Sequence, residues 1–281
     1  MLQRNTETPL VGLYNCNLKF GHTEVLKDIS WELRAGQNWL FVGPNGSGKT
    51  SLFRLLRGDL LPSNERGRRI YRLCGEKHYS PLKSRNYMAL LSPELQKAYR
   101  RYQIKIKGEK VVQTGLWQSF YPYNEISPRQ HEDVRSLIQT LEIEYLADKY
   151  FLHMSNGEQK MILLARALIL QPKVLILDEL LQGLDRQSLS NCFNFLQKIC
   201  KQGIQLLISS HYMDFPGNLA SHVCYLEEGR IKYQGKRNLD FYPDNSETHH
   251  KKALIETDTP DSQNYISSHR NTFCRISDVV V

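Results

Sequence analysis

Long apolar runs are absent from this 281-residue chain. A helix that crosses a bilayer needs roughly 18 or more consecutive apolar residues. The two best candidates, residues 161–170 and 174–181, are interrupted by Arg166 and by Asp178 with Glu179. The opening decapeptide MLQRNTETPL has no apolar stretch of secretory-leader length, so no signal peptide is expected. Cysteine is sparse: six residues, at positions 16, 74, 192, 200, 224 and 274, with no CxxC pair. That pattern excludes a small disulfide scaffold. It favours reduced core thiols over a Cys-based metal site, and hence a cytoplasmic setting. No segment repeats at a period of roughly 20–50 residues, which argues against a solenoid.

What is present is an ordinary globular composition, 41% hydrophobic and 23% charged, which excludes a disordered or collagen-like chain. At about 150 residues per domain, the length fits one large domain, or one with a subdomain. The net charge of +8 is unevenly spread. Residues 54–110 hold fifteen basic and five acidic side chains, with Tyr71, Tyr79, Tyr87, Tyr99 and Tyr102 interleaved. From Asp240 onward, seven acidic residues outnumber four basic ones. The basic block admits three uses. It could be a solvated subdomain face, a surface that contacts the phosphates and bases of nucleic acid, or a docking face for a partner or an anionic membrane.

Periodicity places strands at Val11–Phe20 and residues 25–33, with a turn at Gly21, and a short buried strand at Trp39–Val42. A helix is expected over residues 50–57, stopped by Gly58, with strands over 70–73 and 87–91. Residues 94–150 read mostly helical, broken by the turn-rich segment 121–128, with Val134, Leu137, Ile138 and Leu141 at helical spacing. Helices over 158–170 and 187–201 alternate with apolar strands over 173–177, 204–209 and 223–227. Alternating strands and helices predict an α/β core with a mostly parallel sheet, an antiparallel β edge and a helical subdomain inserted at about 94–165. The main domain is expected to span 1–243. A polar, poorly ordered tail is expected over 244–281.

Gly43-Pro44-Asn45-Gly46-Ser47-Gly48-Lys49-Thr50 fits GxxxxGK[ST], with Ser51 following. At ordinary residue frequencies such a match arises by chance in about one chain in a hundred of this length. It also follows an apolar strand and opens a helix, the context the motif requires. Glycines let successive backbone N–H groups turn inward on phosphates, and the helix start adds its positive dipole end. Lys49 would pair with the β- and γ-phosphates of ATP, and the Thr50 hydroxyl would ligate Mg²⁺.

The run Val174-Leu175-Ile176-Leu177-Asp178-Glu179 brings two carboxylates to the C-terminal edge of a buried strand, where α/β sheets bind ligands. Asp178 is suited to Mg²⁺ and Glu179 to orienting or deprotonating the attacking water. His211 follows the strand over 204–209 and is placed to touch the γ-phosphate. Ser155-Asn156-Gly157-Glu158 is a capping box, in which Ser155 caps a helix and Glu158 reaches back. A capped, glycine-bearing helix start can also receive a phosphate from another subunit.

The order of these motifs over residues 10–235 resembles the ATP-binding cassette (ABC) ATPases. The resemblance implies that Gly43–Thr50 is the Walker A loop, Asp178 the Walker B aspartate and Glu179 the catalytic glutamate. It further implies that Met154 to Glu158 is the signature usually written LSGGQ, that Leu184 and Asp185 form the D-loop, and that His211 is the switch histidine. Phe20 lies where the family stacks an aromatic on adenine, and Gln96 is the candidate for the Q-loop glutamine. Three residues depart from the pattern: Asn156 for glycine, Glu158 for glutamine, and Leu180 for the proline that usually follows the catalytic glutamate. Residues 111–117, 153–168 and 177–185 look like the molybdate-transport and photorepair branch, whose members often carry two fused cassettes.

The resemblance implies ATP hydrolysis with Mg²⁺ in a head-to-tail homodimer, or in a heterodimer with another cassette. As a transporter subunit, the protein would lie on the inner face of the membrane beside separate transmembrane permease subunits. Two other readings remain at this stage. One is a soluble ABC ATPase acting on nucleic acid or ribosomes through residues 54–110. The other is a regulatory binder that closes on ATP with little turnover.

Overall fold

The computed structural model describes residues 8–181, 183–210 and 219–237. Their elements run β1 (Val11–Phe20), β2 (Thr23–Leu33), β3 (Trp39–Val42), α1 (Lys49–Arg57), β4 (Arg68–Tyr71) and β5 (Met88–Leu91). Then come α2 (Pro93–Arg101), α3 (Gly108–Thr114), α4 (Pro128–Thr140) and α5 (Asn156–Leu168). The described residues close with β6 (Val174–Leu177), α6 (Arg186–Lys201), β7 (Gln205–Ser210), β8 (His222–Glu227) and β9 (Arg230–Lys236). The tail over 244–281 lies outside the described residues.

The strands form two sheets. The central one has the order β5-β6-β7-β3-β8-β9, parallel throughout except for the antiparallel pair β8 and β9. The other is a wholly antiparallel sheet of order β2-β1-β4. The mostly parallel core and its antiparallel edge therefore stand as expected, and the inserted helices α2 to α4 fall between β5 and β6.

The interior strands β3 and β6 are buried at every position, as parallel strands covered on both faces must be. Their period of two divides the core. Phe41, Ile176 and Leu207 face one cluster, built with α1 and the antiparallel sheet around Trp31, Phe53 and Tyr71. Leu175, Leu177, Leu206 and Ile208 face the other, built with the inserted helices, α5 and α6. The sheet is thus clamped between two apolar layers, which fixes the heights of its strand ends. Cys16, Cys192 and Cys224 are buried free thiols within these layers, and burial pushes Cys192 up to about 12.

Strand β9 has no counterpart in the sequence reading. Its exposed residues Arg230, Lys232, Gln234 and Lys236 alternate with half-buried ones, so it has no continuous apolar run. Charged residues on an outermost strand also discourage edge-to-edge pairing. The signal was in the turn: Glu228 and Gly229 both take positive φ, 47° and 75°, as a tight two-residue hairpin requires.

Candidate functional site

The loop after β3 delivers Gly43–Thr50 to the start of α1. A Cβ on Gly43 would sit on the Leu226 carbonyl, so β8 packs directly against the loop. Gly48 holds φ 104°, where a side chain is strained and would also meet the Leu26 methyl at 2.8 Å. Among the described residues no side chain caps α1, and no acidic residue lies in its first turn, so its positive end is not neutralised locally. The Ser47 hydroxyl, buried within the loop, has no hydrogen-bond partner among the described residues. A glycine-walled cradle with an uncapped helix start and an orphaned hydroxyl fits a phosphate chain.

Lys49 is 6% exposed, and its Nζ donates to the carbonyls of Gly43 at 2.7 Å and Pro44 at 3.0 Å. Burial lowers its pKa, while the charges of Glu179 and Asp178 act in the opposite sense. Asp178, 2% exposed, directly follows β6 and accepts from Thr50 Oγ1 and from Ser209 Oγ, both at 2.6 Å. Burial raises its pKa against those two hydrogen bonds. A threonine hydroxyl and a carboxylate are hard oxygen donors that fit Mg²⁺.

Ser209 also accepts from the Glu179 backbone N–H at 2.9 Å, so one hydroxyl braces both acidic residues. Glu179 takes φ 55°, a left-handed turn out of the strand, and Leu180 behind it is buried in the core. Sequence reasoning missed Ser209. The available signal was a pair of hydroxyls ending an apolar strand at the ligand-binding edge.

The start of α5 has the expected capping box. Ser155 Oγ accepts from the Glu158 N–H at 3.2 Å, and Glu158 Oε2 accepts from the Ser155 N–H at 2.7 Å. Lys149 adds an ion pair to the same Glu158 oxygen at 2.7 Å, holding that carboxyl below its ordinary range. Gly157 faces the next loop, where a Cβ would come 3.5 Å from Leu184 and 3.6 Å from Asp185 Oδ2. Asp185 is itself a helix cap, accepting from the Ser188 N–H of α6 at 2.9 Å.

A cavity of about 380 Å³ opens between these parts. Gln96, Asn156, Lys160, Asp178, Glu179 and Gly183 are among its lining residues. Lys160, on α5, donates to the Glu179 carbonyl at 3.4 Å, a cation beside the acidic pair that the sequence reading passed over. A second cavity of about 170 Å³ lies away from the carboxylates, among Arg57, Arg85 and Arg166.

Gln96 does not end β5; it lies on α2, with its amide directed to Asn156 and Gln159. Phe20 is 48% exposed at the β1–β2 hairpin, whose Val25 carbonyl abuts Gly48. His211 lies outside the described residues.

Part of the basic segment is tied to the fold, while Arg54, Arg66, Arg68, Lys77, Lys83 and Lys97 are among its exposed side chains. Arg69 donates to the Leu60 carbonyl, Arg72 to that of Pro9 and Arg100 to Gln159, while Arg57 and Arg85 flank Asp59. Tyr71 and Tyr99 are fully buried and cannot stack on bases.

A phosphate cradle at the end of one parallel strand, faced by a carboxylate pair from the next strand but one, defines a P-loop nucleotide-binding protein. Helices inserted between β5 and β6, and a second helix start, this one capped, ahead of the carboxylate strand, narrow the class. The chain belongs to the ABC transporter family, whose sequence profile matches residues 26–182. It is 31% identical over 250 residues to the uncharacterized ABC transporter ATP-binding protein YmeB of Lactococcus lactis, covering 85% of this chain and 95% of that protein. It is also 31% identical over 231 residues to the ABC transporter ATP-binding protein ModF of Escherichia coli, covering 79% of this chain and 46% of that one. Among solved structures, it resembles cbiO1 of Clostridium perfringens, part of the ABC transporter complex cbiONQ, with 26% identity and a TM-score of 0.67. That match covers 82% of this chain and 89% of the other. The protein is an ABC-type ATP-binding and ATP-hydrolysing cassette.

Proposed function

We propose that this chain hydrolyses ATP with Mg²⁺ at the interface of a head-to-tail pair of cassettes, energising separate membrane permease subunits from the inner face of a membrane. The observation that carries the reading is the braced cluster Thr50–Asp178–Ser209–Glu179 beside an uncapped α1 start. Gly43, Pro44, Asn45, Gly46, Ser47 and Gly48 wrap the phosphates, with Thr50 and Ser51 in the first turn of α1. Lys49 exchanges its loop carbonyls for phosphate oxygens. Thr50 and Asp178 would hold Mg²⁺, which neutralises phosphate charge when bound. Glu179 accepts the proton of the attacking water, and His211 contacts the γ-phosphate. Phe20 stacks on adenine.

Ser155, Asn156, Gly157 and Glu158 present their helix start to the nucleotide of the opposite subunit, with Leu184 and Asp185 beside them. The partner is a second copy or another cassette. The runs 111–117, 153–168 and 177–185 support a place in the molybdate-transport and photorepair branch, with molybdate or another small solute as candidate cargo. The cassette spans 1–243 with its helical lobe at 94–165, followed by the polar sequence 244–281.

The test is single-turnover ATP hydrolysis by Glu179→Gln. The amide cannot take the proton, so hydrolysis is expected to fall about 10²–10⁴-fold while MgATP still binds. Wild-type rates in the variant would remove Glu179 from this role.

A further inference from the structure

We infer that Gln96 is a positioning residue. Through a buried amide relay it fixes Asn156, at the phosphate-facing start of α5, so that α2, the signature turn and the loop after Glu179 are coupled within one chain. The inference rests on the ATPase reading above and assigns a role to Asn156, one of the residues at which this chain departs from the family pattern.

The relay is orientationally determined from one end. Gln159 is 1% exposed, and its Nε2 donates to the backbone carbonyls of Phe151 at 2.9 Å and Met154 at 3.1 Å. Carbonyls only accept, so this fixes which way the amide faces and leaves Oε1 pointing toward α2. Arg100 Nη2 donates to that Oε1 at 3.0 Å and Gln96 Nε2 at 2.7 Å. Gln96, 9% exposed, must therefore present its NH₂, and the same NH₂ reaches Asn156 Oδ1 at 2.8 Å. Asn156 is thereby left with Nδ2 facing the other way. That nitrogen lies 3.4 Å from where a Cβ on Gly183 would stand, in the loop between Glu179 and Asp185.

Three acceptor–donor choices thus follow from two backbone carbonyls, and the last places an oriented donor against the loop that leaves the acidic strand. With glycine at 156 there is no side chain for Gln96 to hold. Asn156 is itself exposed, so the bond serves orientation more than burial.

The test is a double-mutant cycle on steady-state ATP hydrolysis by the full chain, with wild type, Gln96→Leu, Asn156→Gly and the double variant. Gln96→Leu is expected to lower kcat/KM about five- to tenfold, the scale of one oriented hydrogen bond. MgATP binding to the variant at low protein concentration, where one chain's Gly43–Thr50 loop, Asp178 and Phe20 bind without the opposite subunit, should match wild type. In the Asn156→Gly background, Gln96→Leu should cost less than twofold, because nothing remains to be positioned. Thermal melting checks the fold, and Gln96→Met, which keeps the side-chain length, replaces Gln96→Leu if the latter does not fold.

The same loss in both backgrounds would assign Gln96 a generic packing role, and no loss in either would leave it without function. Either result overturns the inference and leaves the ATPase reading standing. A wild-type chain that neither hydrolyses ATP nor, as Glu179→Gln, pairs on ATP overturns the reading, and the inference falls with it.

Discussion

Asp178 is held at a cost to the fold. It is buried between two hydroxyls, and burial raises its pKa above the ordinary carboxylate range. A raised folded pKa means that its contribution to stability is fully present below the unfolded pKa and is lost as pH rises through the folded one. At neutral pH, the charge that suits the site for a divalent cation therefore weakens the empty protein. Asp178→Asn keeps the size and can still bond Thr50 and Ser209. Without nucleotide at pH 7 it is expected to be more stable by about 1 kcal/mol, the usual sense of a trade between stability and function. Hydrolysis should fall at least about 10²-fold. Calorimetry of the nucleotide-free proteins checks the first part; a less stable Asn variant would mean that the carboxylate holds the strand ends together.

At this scale, the sequence showed what chemistry forces and hid what topology supplies. Lys49, Thr50, Asp178 and Glu179 were legible as candidates because phosphate and Mg²⁺ chemistry would demand those types in those contexts. Ser209 was not, because it reaches Asp178 only through β7 lying between β6 and β3. Gln159 reads as an ordinary polar residue of an amphipathic helix until its two carbonyl partners are seen.

Among the elements, the start of α5 carries the clearest energetic prediction. Glu158 closes the capping box and pairs with Lys149, and that pair is the main reason its pKa is lowered. A lowered pKa gives stability that is present above the unfolded value and lost as pH falls through the folded one. Glu158→Gln restores the more usual family residue and can still close the box. It gives up the ion pair, which is partly exposed, so the loss at pH 7 is expected to be about 0.5 kcal/mol. That difference should vanish as pH drops below the ordinary glutamate range. Urea unfolding of both proteins at pH 7 and in acid checks this; a difference that persists in acid would locate the effect in the helix cap.

The helices and buried strands were mostly legible to within a residue or two, because their apolar period matches their burial. Periodicity alone put the start of α5 at 158, since a capped first turn carries no apolar residue for it to detect; the capping box at Ser155 marked the start at Asn156, where it lies. Strand β9 escaped for the opposite reason, having a polar outer face and only half-buried inner positions.

For the whole molecule, the account requires two chains per working site. Among the described residues, the cavity that Asn156 shares with Asp178 and Glu179 is not lined by the Gly43–Thr50 loop. Two copies related by a two-fold axis would present each Ser155–Glu158 turn to the other's loop and close both sites at once. Blocking hydrolysis should trap that state. The direct measurement is light scattering of Glu179→Gln over a range of protein concentrations, with MgATP, with MgADP and without nucleotide. The account predicts a dimer with MgATP alone, lost when Ser155→Arg is added although each chain still binds one ATP. A Glu179→Gln protein that stays monomeric in saturating MgATP would contradict a pair of identical chains.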